Sequence, residues 1–356
     1  VFERPLNREA TVADVARRAG VGKSTASRAL GSYGSVSSEV RLRVLAAAEE
    51  LGYRPNEVAR SMNTGRSRTL GVIVSDIENP YFSVAMRGIS DAANASRYNV
   101  ILANTSENLE AEIHAVRVFL DKRVDAIIVA PSSAYQIEHL KAIRTSGRPL
   151  VLLDRKVPGL DAVSVEISIA PAAHEATSRL VELGHTRIAY ISSLQTDGDS
   201  FAGFPLGISS VEDRLHGILD ALEEAAIRPD PELIRFKVVT MERTAEVIEE
   251  LFHLADPPTA ILASDSTIAR DILLALRERD VGIPANVSVI ALDDFPWSPL
   301  TAPPLTVVSP PIYEAGFAAA VAAIEAIEER TAKPVALQAR VIYRDSHGPA
   351  PTHSTR

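Results

Sequence analysis

Thr11-Val-Ala-Asp-Val-Ala-Arg-Arg-Ala-Gly-Val-Gly-Lys-Ser-Thr-Ala-Ser-Arg-Ala-Leu30 is the stretch whose reading decides the fold. Val12, Val15, Ala16 and Ala19 recur at helical spacing, so its first half is expected to form a short amphipathic helix. Thr11 stands at the N-cap with Asp14 three residues on, close to a capping box. Gly20 can end the helix in the left-handed conformation, which a residue without Cβ adopts at little cost. After the turn, residues 24–30 are expected to form a second helix. Its Ala26, Ala29 and Leu30 face inward, and Lys23, Ser24, Thr25, Ser27 and Arg28 face out. Two short helices around a glycine-containing turn, the second showing hydroxyls and cations, make a helix-turn-helix suited to a DNA major groove.

Gly22-Lys23-Ser24-Thr25 copies the end of a phosphate-binding P-loop. That loop needs a glycine five residues earlier, where Arg17 stands, and a preceding β-strand where this pattern is helical. An ATPase reading is set aside.

The charge distribution agrees with a DNA-facing end. The chain of 356 residues carries a net charge of -9, yet residues 1–68 hold 12 Lys and Arg against 7 Asp and Glu. The remainder holds 25 against 39, so a basic head precedes an acidic body and phosphate attraction is confined to one end. The length suits two or three folding units. Cysteine is absent, which excludes disulfides, thiol nucleophiles and cysteine-ligated zinc. No apolar run approaches the roughly 20 residues that span a bilayer. The first residues lack the charged-then-apolar pattern of a secretory signal. The expected compartment is the cytoplasm, with no membrane partner.

Ser37 or Ser38 is expected to cap a third helix over 39–51, with Val40, Val44, Leu45 and Ala48 on one face. The head then spans 9–54. Residues 55–68 read as a hinge, with a helix-capable piece at 57–62 too short to be stable alone in water. From Leu70, apolar runs at 70–75, 100–104, 126–130 and 150–154 alternate with helical segments near 81–97, 109–121 and 135–146. Runs with no polar alternation are the signature of parallel strands buried on both faces. A second set has strands at 187–192, 233–239, 260–263 and 287–292, with helices near 170–183, 212–226, 242–254 and 266–280. The class is therefore α/β: a three-helix head, a hinge helix and two doubly wound units in tandem over 69–345. A helix at 315–329 and a closing strand at 339–344 follow. The proline-containing end, 346–356, reads as a disordered tail.

In this order, several stretches resemble the LacI/GalR family of transcriptional regulators over about 9–345. They are residues 11–30, Leu51-Gly-Tyr-Arg-Pro-Asn56, Leu70-Gly-Val-Ile-Val74 and Glu78-Asn-Pro-Tyr-Phe82. Further on come Leu183-Gly-His185, Ile283-Pro284, residues 287–294 and Pro304-Leu-Thr306. The resemblance implies a DNA-reading head, a hinge helix and a two-lobed core like a periplasmic sugar-binding protein. It aims Lys23, Ser24 and Arg28 at base edges, with Arg28 suited to guanine because its fork matches O6 and N7 together. Thr11, Thr25, Ser27 and Asn56 are candidates for phosphate contacts, which fix register without reading sequence. Capping or solvation is the structural alternative for each hydroxyl. The hinge pattern matches at Asn56, Val58, Ala59 and Arg60, which places Ala59 and Arg60 on the DNA side. Met62 stands where relatives carry a leucine wedge for the minor groove, a task an apolar, flexible side chain can perform.

For the effector the resemblance points to Asn79, Tyr81 and Phe82 after the first strand, and to Asp154 and Arg155 after the fourth. In the second unit it points to Arg214, Ser264 and Asp293. Carboxylates and arginines suit vicinal hydroxyls because each spans two donors or acceptors at fixed spacing. Asp154 and Arg155 have an alternative as simple ion-pair partners. Ser264-Asp265 replaces the usual Asn-Asp, Pro310 stands where a glutamine is common, and the stretch 193–210 is longer than usual. These departures point away from an ordinary pyranose grip, toward a larger, anionic or otherwise atypical sugar-like ligand with the long loop in its lid.

The expectation is a homodimeric repressor of a near-palindromic operator, controlled by a small carbohydrate-like effector, without cofactor or metal and without enzymatic activity. A cytoplasmic solute-binding protein is the alternative, and it leaves the basic head unexplained. An enzyme lacks support: no strand is followed by Gly-x-Gly-x-x-Gly, and there is no Gly-x-Ser-x-Gly. His114, His139, His174, His185, His216 and His253 lack metal-ligand spacing.

Overall fold

The structure, a computed structural model, describes residues 10–31, 34–54, 65–196 and 198–351. The chain divides into two units, Val1–Ser67 and Arg68–Arg356.

In the first unit, α1 (Val12–Ala19) begins on a completed capping box. The Thr11 N–H donates to Asp14 Oδ2 at 3.0 Å and the Asp14 N–H donates to Thr11 Oγ1 at 3.4 Å. Gly20 ends the helix at φ +66°, left-handed as expected. Next come α2 (Lys23–Gly31) and α3 (Ser38–Glu50), the latter capped by Ser37, whose Oγ accepts from the Val40 N–H. The core closes on Val15, Ala16, Ala19, Ala26, Ala29, Val44, Ala47 and Ala48. Leu45, expected inside, is 47% exposed. The buried stripe of α3 runs through Val44, Ala47 and Ala48, and Leu45 sits about 100° around the helix from Val44. With small alanines opposite, the core is too narrow to take it.

The second unit holds two sheets. Lobe 1 contains β1 (Thr69–Val74), β2 (Asn99–Asn104), β3 (Ala126–Val129), β4 (Leu150–Leu153), β5 (Val163–Ser168) and β11 (Val335–Gln338). They are parallel in the order β11-β5-β4-β3-β1-β2. Lobe 2 contains β6 (Ile188–Ile191), β7 (Ile234–Arg235), β8 (Ala260–Ala263), β9 (Ser288–Ala291), β10 (Thr306–Ser309) and β12 (Arg340–Ile342). Its order is β12-β10-β9-β8-β6-β7, with β12 antiparallel to β10. The central strands β3, β4, β8 and β9 are buried at every residue, which is why they read as unbroken apolar runs. Helices α4 (Pro80–Ala95), α5 (Leu109–Asp121), α6 (Glu138–Thr145) and α11 (Ile312–Ile327) belong to lobe 1. Helices α7 (Ala170–Glu182), α8 (Ser209–Glu224), α9 (Met241–Phe252) and α10 (Ser266–Glu278) belong to lobe 2.

Three expectations are corrected here. The units are not in simple tandem: after β5 the chain leaves lobe 1, returns after β10 to form α11 and β11, and ends in lobe 2 with β12. Close packing holds the returning helix. A Cβ on Gly316 would lie 2.0 Å from the Ala85 carbonyl oxygen and one on Gly88 2.1 Å from that of Tyr313, so α4 and α11 meet backbone to backbone. The strand expected at 233–239 shrinks to Ile234–Arg235, because the Phe236 N–H turns to the Asp199 carbonyl at 2.8 Å. The end is not disordered through 346–351. Ser346 is fully buried, accepting from the Thr306 N–H at 2.8 Å and donating to the Val289 carbonyl at 2.6 Å. The Gly348 carbonyl meets His185 Nε2 at 2.9 Å, and the Ala350 N–H donates to the Leu183 carbonyl at 2.8 Å. Composition signalled the lack of regular structure but not these bonds to distant chain. No described helix is long and apolar enough to cross a membrane.

Candidate functional site

The candidate nucleic-acid face rests on α2. Burial of Ala26 and Ala29 turns the opposite side of the helix outward, where Lys23, Ser24 and Arg28 are exposed and Thr25 and Ser27 half-buried. The Arg28 stem lies beside Gly34, where an added Cβ would come within 3.3 Å of its Cδ. A planar guanidinium at this end of the helix can form two parallel bonds with one base edge. The Thr11 hydroxyl is engaged inside the head, donating to Asp14 Oδ2 at 2.6 Å, so capping accounts for it. Asn56, Ala59, Arg60 and Met62 lie outside the described residues.

A cavity of about 840 Å³ opens between the lobes of the second unit, at the carboxyl ends of strands from both sheets. That is where parallel sheets bind ligands, because loops and helix N-termini converge there. From lobe 1 it is lined by Asn79, Tyr81, Phe82, Asp154 and Arg155, and from lobe 2 by Arg214, Ser264 and Asp293. All eight residues singled out from the sequence thus come together at one cavity.

In lobe 1 these side chains are largely engaged with one another. Asn79 Oδ1 accepts from the Tyr81 N–H at 3.0 Å and caps α4, which sets Tyr81 and Phe82 on the first turn. The rings meet edge to face, centroids 5.2 Å apart. The Tyr81 hydroxyl donates to Asp154 Oδ1 at 2.6 Å. Burial, with the Asp154 carboxylate next, pushes the Tyr81 hydroxyl well above its ordinary pKa. Asp154 itself is left-handed at φ +68°, a conformation that short polar side chains tolerate. Arg155 is bidentate to Glu107, at 2.8 and 2.6 Å, and donates to the Pro131 carbonyl at 2.8 Å. Burial opposes the Glu107 charge, but the Arg155 guanidinium outweighs it and holds the carboxyl below its usual range.

Lobe 2 is less self-sufficient. Arg214 Nη1 donates to the Ser210 carbonyl at 3.1 Å, while its Nη2 stands 3.7 Å from Asp293 Oδ1. Arg214 Nε and Asp293 Oδ1 are buried without a hydrogen-bond partner. Burial pushes the Asp293 carboxyl well above its ordinary pKa, opposed by Arg214 and reinforced by Asp265 and Asp154. Ser264 donates to Asp265 Oδ2 at 2.8 Å, and Asp265 Oδ1 caps α10 through the Thr267 and Ile268 N–H groups at 2.9 and 3.0 Å.

Sequence reasoning did not select Glu107 or Asp265 as site residues, although both line the cavity. Glu107 lies three residues past the end of β2 and Asp265 two past the end of β8, and taking the first few residues after every strand end would have found them. The long loop adds Leu206, Gly207 and Ile208 to the wall. Glu212 Oε1 accepts from the Leu206 and Gly207 N–H groups, Phe204 stacks on His216 at 3.9 Å, and the Lys156 N–H donates across the lobes to Ser209 Oγ at 2.8 Å. Among the described residues no cluster of histidine and carboxylate side chains has metal-holding geometry.

Residues 11–56 match the family described as bacterial regulatory proteins, lacI family, and residues 177–347 match a periplasmic binding protein-like domain. The HTH-type transcriptional regulator RegA of Clostridium saccharobutylicum is 32% identical over 306 residues, covering 86% of this chain and 89% of the relative. The ribose operon repressor of Bacillus subtilis (strain 168) is 30% identical over 338 residues, covering 94% of this chain and 97% of the relative. A solved complex of the transcriptional regulator CelR with cellobiose superposes with a TM-score of 0.67 at 26% identity, covering 95% of this chain and 100% of that one.

Proposed function

The chain belongs to the LacI family of bacterial regulatory proteins, and on that premise we propose a homodimeric repressor whose hold on operator DNA is set by a sugar-like effector between its lobes. The observation that carries this reading is the combination, in one chain, of an outward-facing Lys23-Ser24-Arg28 helix face and a cavity lined by strand ends of both lobes. A plain solute-binding protein has use for the cavity alone.

Arg28, with Lys23 and Ser24, reads base edges. Thr25, Ser27 and Asn56 hold phosphates, Ala59 and Arg60 lie along the groove, and Met62 is the wedge. In the cavity, Asp154, Arg214 and Asp293 grip hydroxyls and Tyr81 and Phe82 border the ring. Arg155, tied to Glu107, supports the wall. The carbohydrate class is supported by the sugars in the names of relatives, ribose and cellobiose. The effector controls DNA affinity by binding one arrangement of the lobes better than the other, since equal affinity for both shifts nothing. A second copy is supported by the apolar stripe Tyr313, Phe317 and Val321, spaced one helical turn apart on α11 and 37%, 39% and 37% exposed. Such a row in water favours self-association.

The test is capture of sequenced source-genome fragments on the purified chain. Enrichment of a short near-palindrome is expected, with half-sites about one helical turn apart. Arg28→Ala should weaken binding by about 1–3 kcal/mol and relax the preference at one base pair. Binding should fall steeply with salt. No enrichment, with or without cell extract, would overturn the regulator mechanism and favour solute binding. Phe317→Glu should shift the solution mass toward a monomer; an unchanged dimer would place the interface elsewhere.

A further inference from the structure

The charge around the inter-lobe cavity is lopsided. Among the described residues Asp76, Glu78, Glu107, Asp154, Asp265 and Asp293 line it, against two guanidiniums, Arg155 and Arg214, with no lysine or histidine. Arg155 is matched by Glu107 through two short bonds. Arg214 is left among Asp154 from lobe 1 and Asp265 and Asp293 from lobe 2. Three helix N-termini, those of α4, α8 and α10, also face the cavity and contribute partial positive charge. At about +0.5 each they supply roughly +1.5. The formal excess is four negative charges, so the cavity stays electronegative.

A second observation shows where that excess is unmet. Asp293 lines the cavity at 1% exposure, and its Oδ1 is buried without a hydrogen-bond donor. Its contact with Arg214 is 3.7 Å long. A buried carboxylate oxygen left this way is costly unless something enters that donates to it. The same field is felt by Asp293 as a raised pKa, to which Asp265 and Asp154 contribute.

We infer that the molecule held between the lobes carries a positive charge beside its hydroxyls, as a protonated amino sugar does, and that its ammonium lies between Asp154 of lobe 1 and Asp293 of lobe 2. This rests on the effector reading of the cavity. Ser192, Ser193, Ser133 and Asn104 offer partners for hydroxyls, and Tyr81 and Phe82 offer ring faces, so a carbohydrate frame suits the wall better than a bare polyamine. The charge balance turns away from the anionic ligand that the unusual loop suggested. It also gives the ligand leverage on conformation. Three carboxylates from opposing lobes outnumber the single Arg214 guanidinium among them, so a further cation between Asp154 and Asp293 favours the closed arrangement.

The experiment is calorimetric titration of the full chain at about pH 7, where sugar amines are largely protonated. The probes are glucosamine, galactosamine and mannosamine, each beside its N-acetyl and parent neutral sugar, with glucose 6-phosphate as the anion. At least one amine should bind about ten-fold or more tighter than its neutral counterparts, with the phosphate weakest. Asp154→Asn and Asp293→Asn should each shrink that preference. A neutral sugar or the phosphate binding as tightly as the matching amine overturns the charge assignment, as does failure of all three amines to bind at about 10 mM, a concentration that detects even weak millimolar sites. Loss of any observed binding in Arg214→Ala keeps the effector reading standing in the first case. Binding unchanged by Arg214→Ala would instead overturn the effector reading itself.

Discussion

Lobes 1 and 2 repeat one strand order, and each sets an arginine and a carboxylate at the cavity, but the two pairs are built differently. In lobe 1, Arg155 meets Glu107 with both amino nitrogens and gives a further bond to a carbonyl. In lobe 2, Arg214 stops 3.7 Å short of Asp293, and each side chain keeps a buried atom without a partner. The first pair completes the wall of the cavity. The second lines it with hydrogen-bonding capacity still unused. The fold supplies equivalent positions; satisfaction inside the protein decides which of them remains available to a ligand.

The largest expected effect tests the less satisfied pair. Arg214→Ala strands a 1% exposed carboxylate and should lower the stability of the second unit by about 3 kcal/mol at neutral pH, read by urea unfolding. A loss below about 1 kcal/mol would mean that Asp293 is already neutral there. Arg155→Ala should cost less, about 1–2 kcal/mol, because Glu107 reaches solvent and can turn to water. If it cost more than Arg214→Ala, the contrast between the lobes would be reversed.

The pH dependence should then carry opposite signs. The folded pKa of Asp293 is raised, so the stability it contributes is complete below the ordinary carboxylate range and lost as pH rises through the folded value. That of Glu107 is depressed, so its contribution is present above the ordinary range and lost as pH falls through the folded value. In unfolding free energy against pH, Asp293→Asn should remove a loss on the alkaline side of the carboxylate range, and Glu107→Gln a loss on the acid side. Matching profiles for the two variants would erase the distinction. The smallest effect is expected for Ser264→Ala, under about 1 kcal/mol, because the cap of Asp265 on α10 survives without that hydroxyl.

Local chemistry made much of this molecule legible before any coordinates. Thr11, Asp14 and Gly20 act on residues within a turn of themselves, so the first helix and its ends could be written down from spacing. Unbroken apolar runs marked the central strands, and the residues to which the family resemblance pointed line one cavity at the carboxyl ends of those strands. The alternating β5 and the proline-flanked β10 carried weaker signals and were missed. So was the return of α11 and β11 to lobe 1, which depends on Gly88 and Gly316 meeting a helix more than 200 residues away in the chain. The tail at 346–351 failed for the same reason, since its partners Val289, Thr306 and His185 are remote.

The sequence by itself determined the helix-turn-helix and the α/β class, because periodicity and capping are properties of neighbours in the chain, and its resemblance to a family pointed to the eight residues that line the cavity. Only the tertiary structure decided that Arg155 is spent on Glu107, 48 residues away, while Arg214 and Asp293 stay incompletely paired. Which charge meets which is set by packing across the sheet, and no spacing along the chain encodes that distance.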